Sequence, residues 1–225
     1  MTQAPPRRAD GALRGARAAT RTVDRTGPPA VSGWRIVPED LLVAIGLGAV
    51  LVAWWPAVLA LRGPEPPQPA VIVAHLCGML AGYGVLVLLA LMSRAPALEG
   101  GVGADVLARW HARGGRLVIG LVLVHAWAAV VAWAGSRQES TLLGLWHVLR
   151  LPGLMAATVG TLVLVAVAAA SARAARRRLS YETWHALHLL TYLGVALSFV
   201  HQLAGPDLAG HRLLQIAWAL PVSRL

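Results

Sequence analysis

Lysine is absent from this 225-residue chain: all twenty basic residues are arginine, set against ten acidic ones, for a formal net charge of +10. Cysteine occurs once, as Cys77. A single cysteine excludes an intrachain disulfide framework, a CxxC zinc site and an iron–sulfur cluster held by four cysteines of this chain. Charged residues are scarce, at 13%, while 57% of the chain is apolar. That is too apolar for an ordinary soluble domain, and the length bounds the chain to one or two domains. The composition also excludes a collagen, a coiled coil and a wholly disordered chain. So basic a balance ordinarily points to nucleic acid. Here the arginines fall between long apolar runs, so membrane topology explains them and no nucleic-acid partner is expected.

Residues 1–39 hold seven Arg and five Pro with few bulky apolar side chains. Such a segment buries too little surface to offset the entropy of ordering, so it reads as a disordered tail. It is not a secretory signal, because the first apolar run begins only near Leu41. Five apolar runs of bilayer-spanning length follow, at about 41–61, 70–92, 106–134, 152–172 and 181–204. A sixth, 211–225, has fifteen residues and reads as partial. The Pro-rich stretch Gly63-Pro64-Glu65-Pro66-Pro67 and the Gly-rich stretch Glu99-Gly100-Gly101-Val102-Gly103 read as loops between spans. The runs are continuously apolar rather than alternating, which excludes a transmembrane β-barrel. A backbone in lipid must satisfy its own hydrogen bonds, which makes the runs helices. The expected fold class is an all-α integral membrane protein. Residues 1–39 form its tail, and 40–225 form a bundle of five complete transmembrane helices plus a partial sixth.

Arginine asymmetry orients the bundle. With the N-terminus inside, the cytoplasmic side carries Arg21, Arg25, Arg35, Arg94, Arg109, Arg113, Arg116, Arg173, Arg176, Arg177 and Arg178, and the outer side only Arg62, Arg137, Arg150 and Arg212. The expected location is a bacterial cell membrane, crossed several times, with a cytoplasmic N-terminus. The third and fifth spans then both run outward and are parallel.

Eight histidines occur. An ionisable residue inside a span is costly, and each is a functional candidate. The third span carries His111 and His125, fourteen residues apart, and the fifth carries His188 and His201, thirteen apart. At 1.5 Å per residue these separations are about 21 Å and about 19.5 Å. On parallel helices His111 can meet His188 near the inner leaflet, and His125 can meet His201 near the outer one. Two facing imidazoles at two depths suit two b-type haems, each iron held from both sides. Neutral imidazole ligates iron and brings no charge into lipid. The rotational register is uneven. His125 falls within about 40° of the face of His111, but His201 falls about 140° from His188, and His185 does not repair this. Periodicity supports the third span better than the fifth.

The order of spans and the strings Trp110-His111-x13-His125 and Trp184-His185-Ala186-Leu187-His188-x12-His201 resemble the ferric reductase-like transmembrane domain superfamily. That superfamily includes ferric-chelate reductases, NADPH oxidases and the haem-binding membrane subunit of the periplasmic methionine sulfoxide reductase system. The stretch Arg178-Leu179-Ser180-Tyr181-Glu182-Thr183-Trp184-His185 is similar to one that precedes the fifth helix in bacterial members. The resemblance covers about residues 40–220. It implies that His111, His125, His188 and His201 are haem ligands and that the thirteen-residue spacing is ordinary. Arg113, Arg116 and Arg178, with Arg177 beside them, are then candidate partners of the inner haem's anionic propionates, and His185 either orients His188 or contacts a propionate; the arginines equally serve topology alone. His75 is a packed histidine or a propionate partner, His147 beside Trp146 reads as an interface residue, and His211 reads as a water-exposed residue at the start of the partial sixth helix. Gly114, Gly115 and Gly120 would let a macrocycle or a neighbouring helix come close.

Full-length relatives continue into cytoplasmic domains that bind flavin and NADPH. The Gly100-Gly101-Val102-Gly103 run is no dinucleotide fingerprint. FAD and NADPH are therefore expected only through a further domain or a separate flavoprotein, with a quinol as the other possible donor. The expected function is transmembrane electron transfer through two bis-histidine haems, from the cytoplasmic donor to a ferric chelate, oxygen or a protein outside. The alternatives are a quinol-linked cytochrome b of another family and a non-redox membrane protein with structural histidines.

Overall fold

The computed structural model describes residues 35–62, 68–151, 153–172 and 177–204, with 212, 213 and 216. Residues 1–34, which make up most of the expected tail, and most of the partial sixth helix lie outside the described residues.

Apolar runs entered through proline become helices, because proline presets φ and an N-terminal position needs no N–H. Helix α1 spans Pro38–Arg62, α2 Pro69–Leu91 and the short α3 Pro96–Gly101. Then come α4 at Ala104–Ser136, α5 at Thr141–Leu149, α6 at Leu154–Ser171 and α7 at Tyr181–Ala204. Among the described residues every element is helical. Three helices, α2, α4 and α6, are long and apolar enough to cross a membrane.

Two connections differ from expectation. Glu99, Gly100 and Gly101 are helical in α3, not a loop. Leu98 and Val102 are buried with Leu91 and Leu107, and Ile36, Leu88 and Trp110 pack around them. This apolar cluster offsets the weak helix propensity of the two glycines. The stretch after α4, expected as an outer loop, contains α5. Ser140 caps it by accepting a hydrogen bond from the Leu143 amide, at 3.4 Å. The α5 segment is further tied by His147 Nδ1 against Glu139, at 3.0 Å, and by the Arg150 guanidinium over the Trp146 ring.

Among the described residues the buried apolar side chains are alanines (Ala74, Ala81, Ala128, Ala134 and Ala157), valines and leucines, none of them larger. Large apolar side chains point outward, Leu51 at 71% exposure and Trp54 at 66%. Helices that associate in lipid pack through small residues, since lipid tails compete for large ones. α2 lies antiparallel along α4, and α6 along α7. The second pair meets at Gly160 and Gly194, where a Cβ on Gly160 would stand 2.7 Å from the Gly194 carbonyl oxygen. α1 packs on α2, where Tyr83 Oη donates to the Ile45 carbonyl at 3.0 Å. The Cα traces of α4 and α7, by contrast, stay more than 8 Å apart over nearly their whole length.

Candidate functional site

The space between α4 and α7 is bridged by imidazoles. The rings of His111 and His188 have centroids 6.0 Å apart, with planes at 68°. Those of His125 and His201 lie 5.7 Å apart at 41°. The two matches, 111 with 188 and 125 with 201, make α4 and α7 parallel. An imidazole nitrogen bonds a first-row metal at about 2 Å and lies about 1 Å from its ring centroid, so two imidazoles flanking one metal ion have centroids about 6 Å apart. Each pair therefore has the spacing to hold one ion between them. Among the described residues no three His, Cys, Asp or Glu side chains gather at one point. Each pair thus offers two protein ligands, the number left over once a planar macrocycle fills the other four positions of an octahedral iron.

Which nitrogen faces the gap follows from the hydrogen bonds. His111 Nδ1 lies 3.2 Å from the Leu88 carbonyl oxygen and His125 Nδ1 2.7 Å from that of Ala74. A carbonyl only accepts, so each Nδ1 carries the proton and donates it. His201 Nδ1 donates in the same way to the Ser198 carbonyl, at 3.0 Å. Nε2 of these three rings is then the unprotonated, metal-capable nitrogen. His188 Nδ1 faces a hydroxyl instead, Ser171 Oγ at 3.5 Å. Trp184 donates its indole N–H to the same oxygen at 3.3 Å and stacks on the His188 ring at 5.2 Å.

The carbonyls used on α2, at residues 74 and 88, are fourteen apart, as are residues 111 and 125 on α4. Antiparallel pairing of two helices carries one spacing onto the other, so α2 acts as a template for both rings. On α7 the rings leave the helix differently. His201 folds back on its own backbone, while His188 leans on α6 through Ser171 and against Trp184. Side-chain direction thus absorbs the rotation of about 140° that an ideal helix puts between them.

A cavity of about 590 Å³ adjoins the outer pair, lined by His125, His201, His75, Gly78, Trp133 and Thr161 among others. Gly78 is what lets His125 in: a Cβ there would stand 2.8 Å from His125 Nδ1. Of the sequence candidates, the four histidines are brought together and His75 lines the cavity beside His125 and His201, while the arginines and His185 are exposed. Arg113, Arg116, Arg177 and Arg178 have exposed side chains. Arg113 and Arg116 fall about 160° and 140° around α4 from His111. His185 is exposed and stacked on Tyr181, with centroids 5.8 Å apart. Gly120 is exposed with nothing near it, while Gly114 meets Leu88. Gly78, Ser171 and the two α2 carbonyls were not found from sequence. Trp184 was quoted for its place in a string, not for its stacking. Backbone acceptors leave no residue signal, and a glycine in an apolar run reads as packing.

A model of the ferric reductase like transmembrane component matches residues 77–199, more than half of the chain. The chain belongs to that family. The matched stretch takes in His111, His125 and His188 and ends two residues before His201. No curated protein and no solved structure matches the chain. Membership of the ferric reductase-like family, with its apolar helices, makes this a membrane protein and an oxidoreductase component engaged in electron transfer.

Proposed function

We propose that the chain is the electron-carrying membrane part of a ferric reductase-like oxidoreductase and holds two b-type haems, one between His111 and His188 and one between His125 and His201. The observation that carries this reading is the pair of facing imidazoles at 6.0 Å and 5.7 Å on two helices whose backbones stand apart. Haem bound there supplies one-electron redox chemistry, and an iron with imidazole on both sides favours electron passage over oxygen binding. The work of this chain's own residues is positioning. Leu88 and Ala74 hold the α4 rings through their carbonyls, Ser198 holds His201, and Ser171 with Trp184 orients His188. Apolar helices keep water away from both pairs, so charge on the metal weighs more heavily in the potential.

In this reading α1, α2, α4, α6 and α7 are the five spans, and the N-terminus is cytoplasmic. The inner pair faces a flavoprotein or quinol donor. The outer pair faces an acceptor at the α5 side, whether a ferric chelate, oxygen or a protein. The exposed Arg113, Arg116 and Arg178 then line the inner membrane surface, where arginines set topology.

A pyridine haemochrome assay on the purified full-length chain tests the reading. About two haems per polypeptide with a low-spin bis-imidazole spectrum are expected. H125A or H201A leaves about one, and H111A or H188A removes the other. A chain that purifies folded without haem absorption overturns the proposal.

A further inference from the structure

The outer cavity holds a group that this reading leaves unused. Trp133 follows His125 by eight residues, about 12 Å further along α4 toward its outer end, and lines the same cavity. Its indole Nε1 is buried and, among the described residues, has no hydrogen-bond partner. An indole N–H is a donor only, and buried ones nearly always find an acceptor. The neighbouring groups do not provide one. The Ser136 hydroxyl is turned back onto the Trp133 carbonyl at 2.8 Å. The Arg137 guanidinium lies over the indole, its carbon 4.2 Å from the ring centroid, and brings positive charge and further donors. An unsatisfied donor thus lines an apolar cavity that also presents two imidazoles, and the exposed Arg137 sets a cation against the donor's ring.

That combination selects a ligand end that is anionic and accepts hydrogen bonds. Side chains on a helix lean toward its N-terminus, which carries the Trp133 indole back in the direction of His125. A haem carries two carboxylates on one edge, and burying a carboxylate without a donor is costly. We propose that the Trp133 N–H, with Arg137 supplying the positive charge, anchors a haem carboxylate at the outer pair and so sets the orientation and potential of that haem. Trp133 is a positioning residue: it donates a hydrogen bond, and no covalent bond changes. The inference rests on the two-haem reading above.

Trp133→Phe keeps the ring and removes the donor. Arg137→Gln removes the charge at an exposed position. Both are compared with the wild-type full-length holoprotein by redox titration of the Soret band and by haem transfer to apomyoglobin. In W133F one of the two midpoint potentials falls, because an uncompensated carboxylate favours ferric iron, and haem leaves that centre about tenfold faster. R137Q lowers the same potential, and the other centre is unchanged in both variants. Unchanged potentials and transfer rates in W133F overturn the inference. If W133F does not accumulate, R137Q decides: a fall at one centre supports the anchor, and no fall overturns it. A wild-type chain without haem sinks the two-haem reading instead, so the two failures are distinct.

Discussion

At the scale of single residues, this site depends on atoms that have no letter in the sequence. His111, His125, His188 and His201 are legible as ligand candidates because an imidazole is rare and costly inside a span. Their pairing is legible in the matched spacings of the two spans, but their rotational register only on α4, where the fourteen-residue spacing nearly repeats a face. What holds His125 in place is the Ala74 carbonyl and the missing Cβ of Gly78. Gly78→Val therefore pushes the ring off its acceptor. It is expected to weaken haem binding at the outer pair by about tenfold or more, the usual cost of disturbing the group that orients a ligand. The haemochrome value then drops from about two toward about one, with far-ultraviolet circular dichroism unchanged. A G78V chain that keeps both haems at wild-type affinity means that Gly78 only packs.

At the scale of elements, the long helices were legible and the short ones were not. Each long apolar run lies on a helix whose ends fall within a few residues of those expected, because the bilayer requires both the length and the internal hydrogen bonds. α3 has six residues, two of them glycine, and its helical form comes from burial of Leu98 and Val102. α5 owes its start to Ser140, a cap that a short apolar stretch between two spans does not advertise. α6 and α7 meet backbone to backbone at Gly160 and Gly194. Gly160→Leu would overpack this contact and cost about 1–3 kcal/mol, read as a lower thermal midpoint in detergent and a loss of haem as α7 shifts. Gly120→Ala, at an exposed helical position with open space around it, is the contrasting variant. It should be neutral or raise the midpoint, since alanine favours helix over glycine by about 0.5–1 kcal/mol. Equal effects of the two would mean that helix propensity, not the close crossing, governs stability here.

At the scale of the whole molecule, the arrangement is two antiparallel helix pairs, α2 with α4 and α6 with α7, facing each other across rings rather than across packed backbone. In the proposed orientation, which the arginine distribution supports, α5 lies outside. In a Cys77→Ala background, a cysteine replacing Arg150 should react with a membrane-impermeant maleimide on intact cells. One replacing Arg94, whose side chain is 82% exposed, should react only after the cells are opened. The reverse pattern inverts the proposed direction of electron flow.

Hydrophobic run length and histidine spacing were enough to read an all-helical membrane chain and to name the four imidazoles, because both properties are periodic and local. Which carbonyl receives each ring, which glycine makes room, and how His201 overcomes its poor rotational register were settled by neighbouring helices and by side-chain direction. Those are relations between segments 23 to 51 residues apart, or torsions of one side chain. A one-dimensional pattern holds neither, since contacts across a bundle depend on how its helices lie against each other.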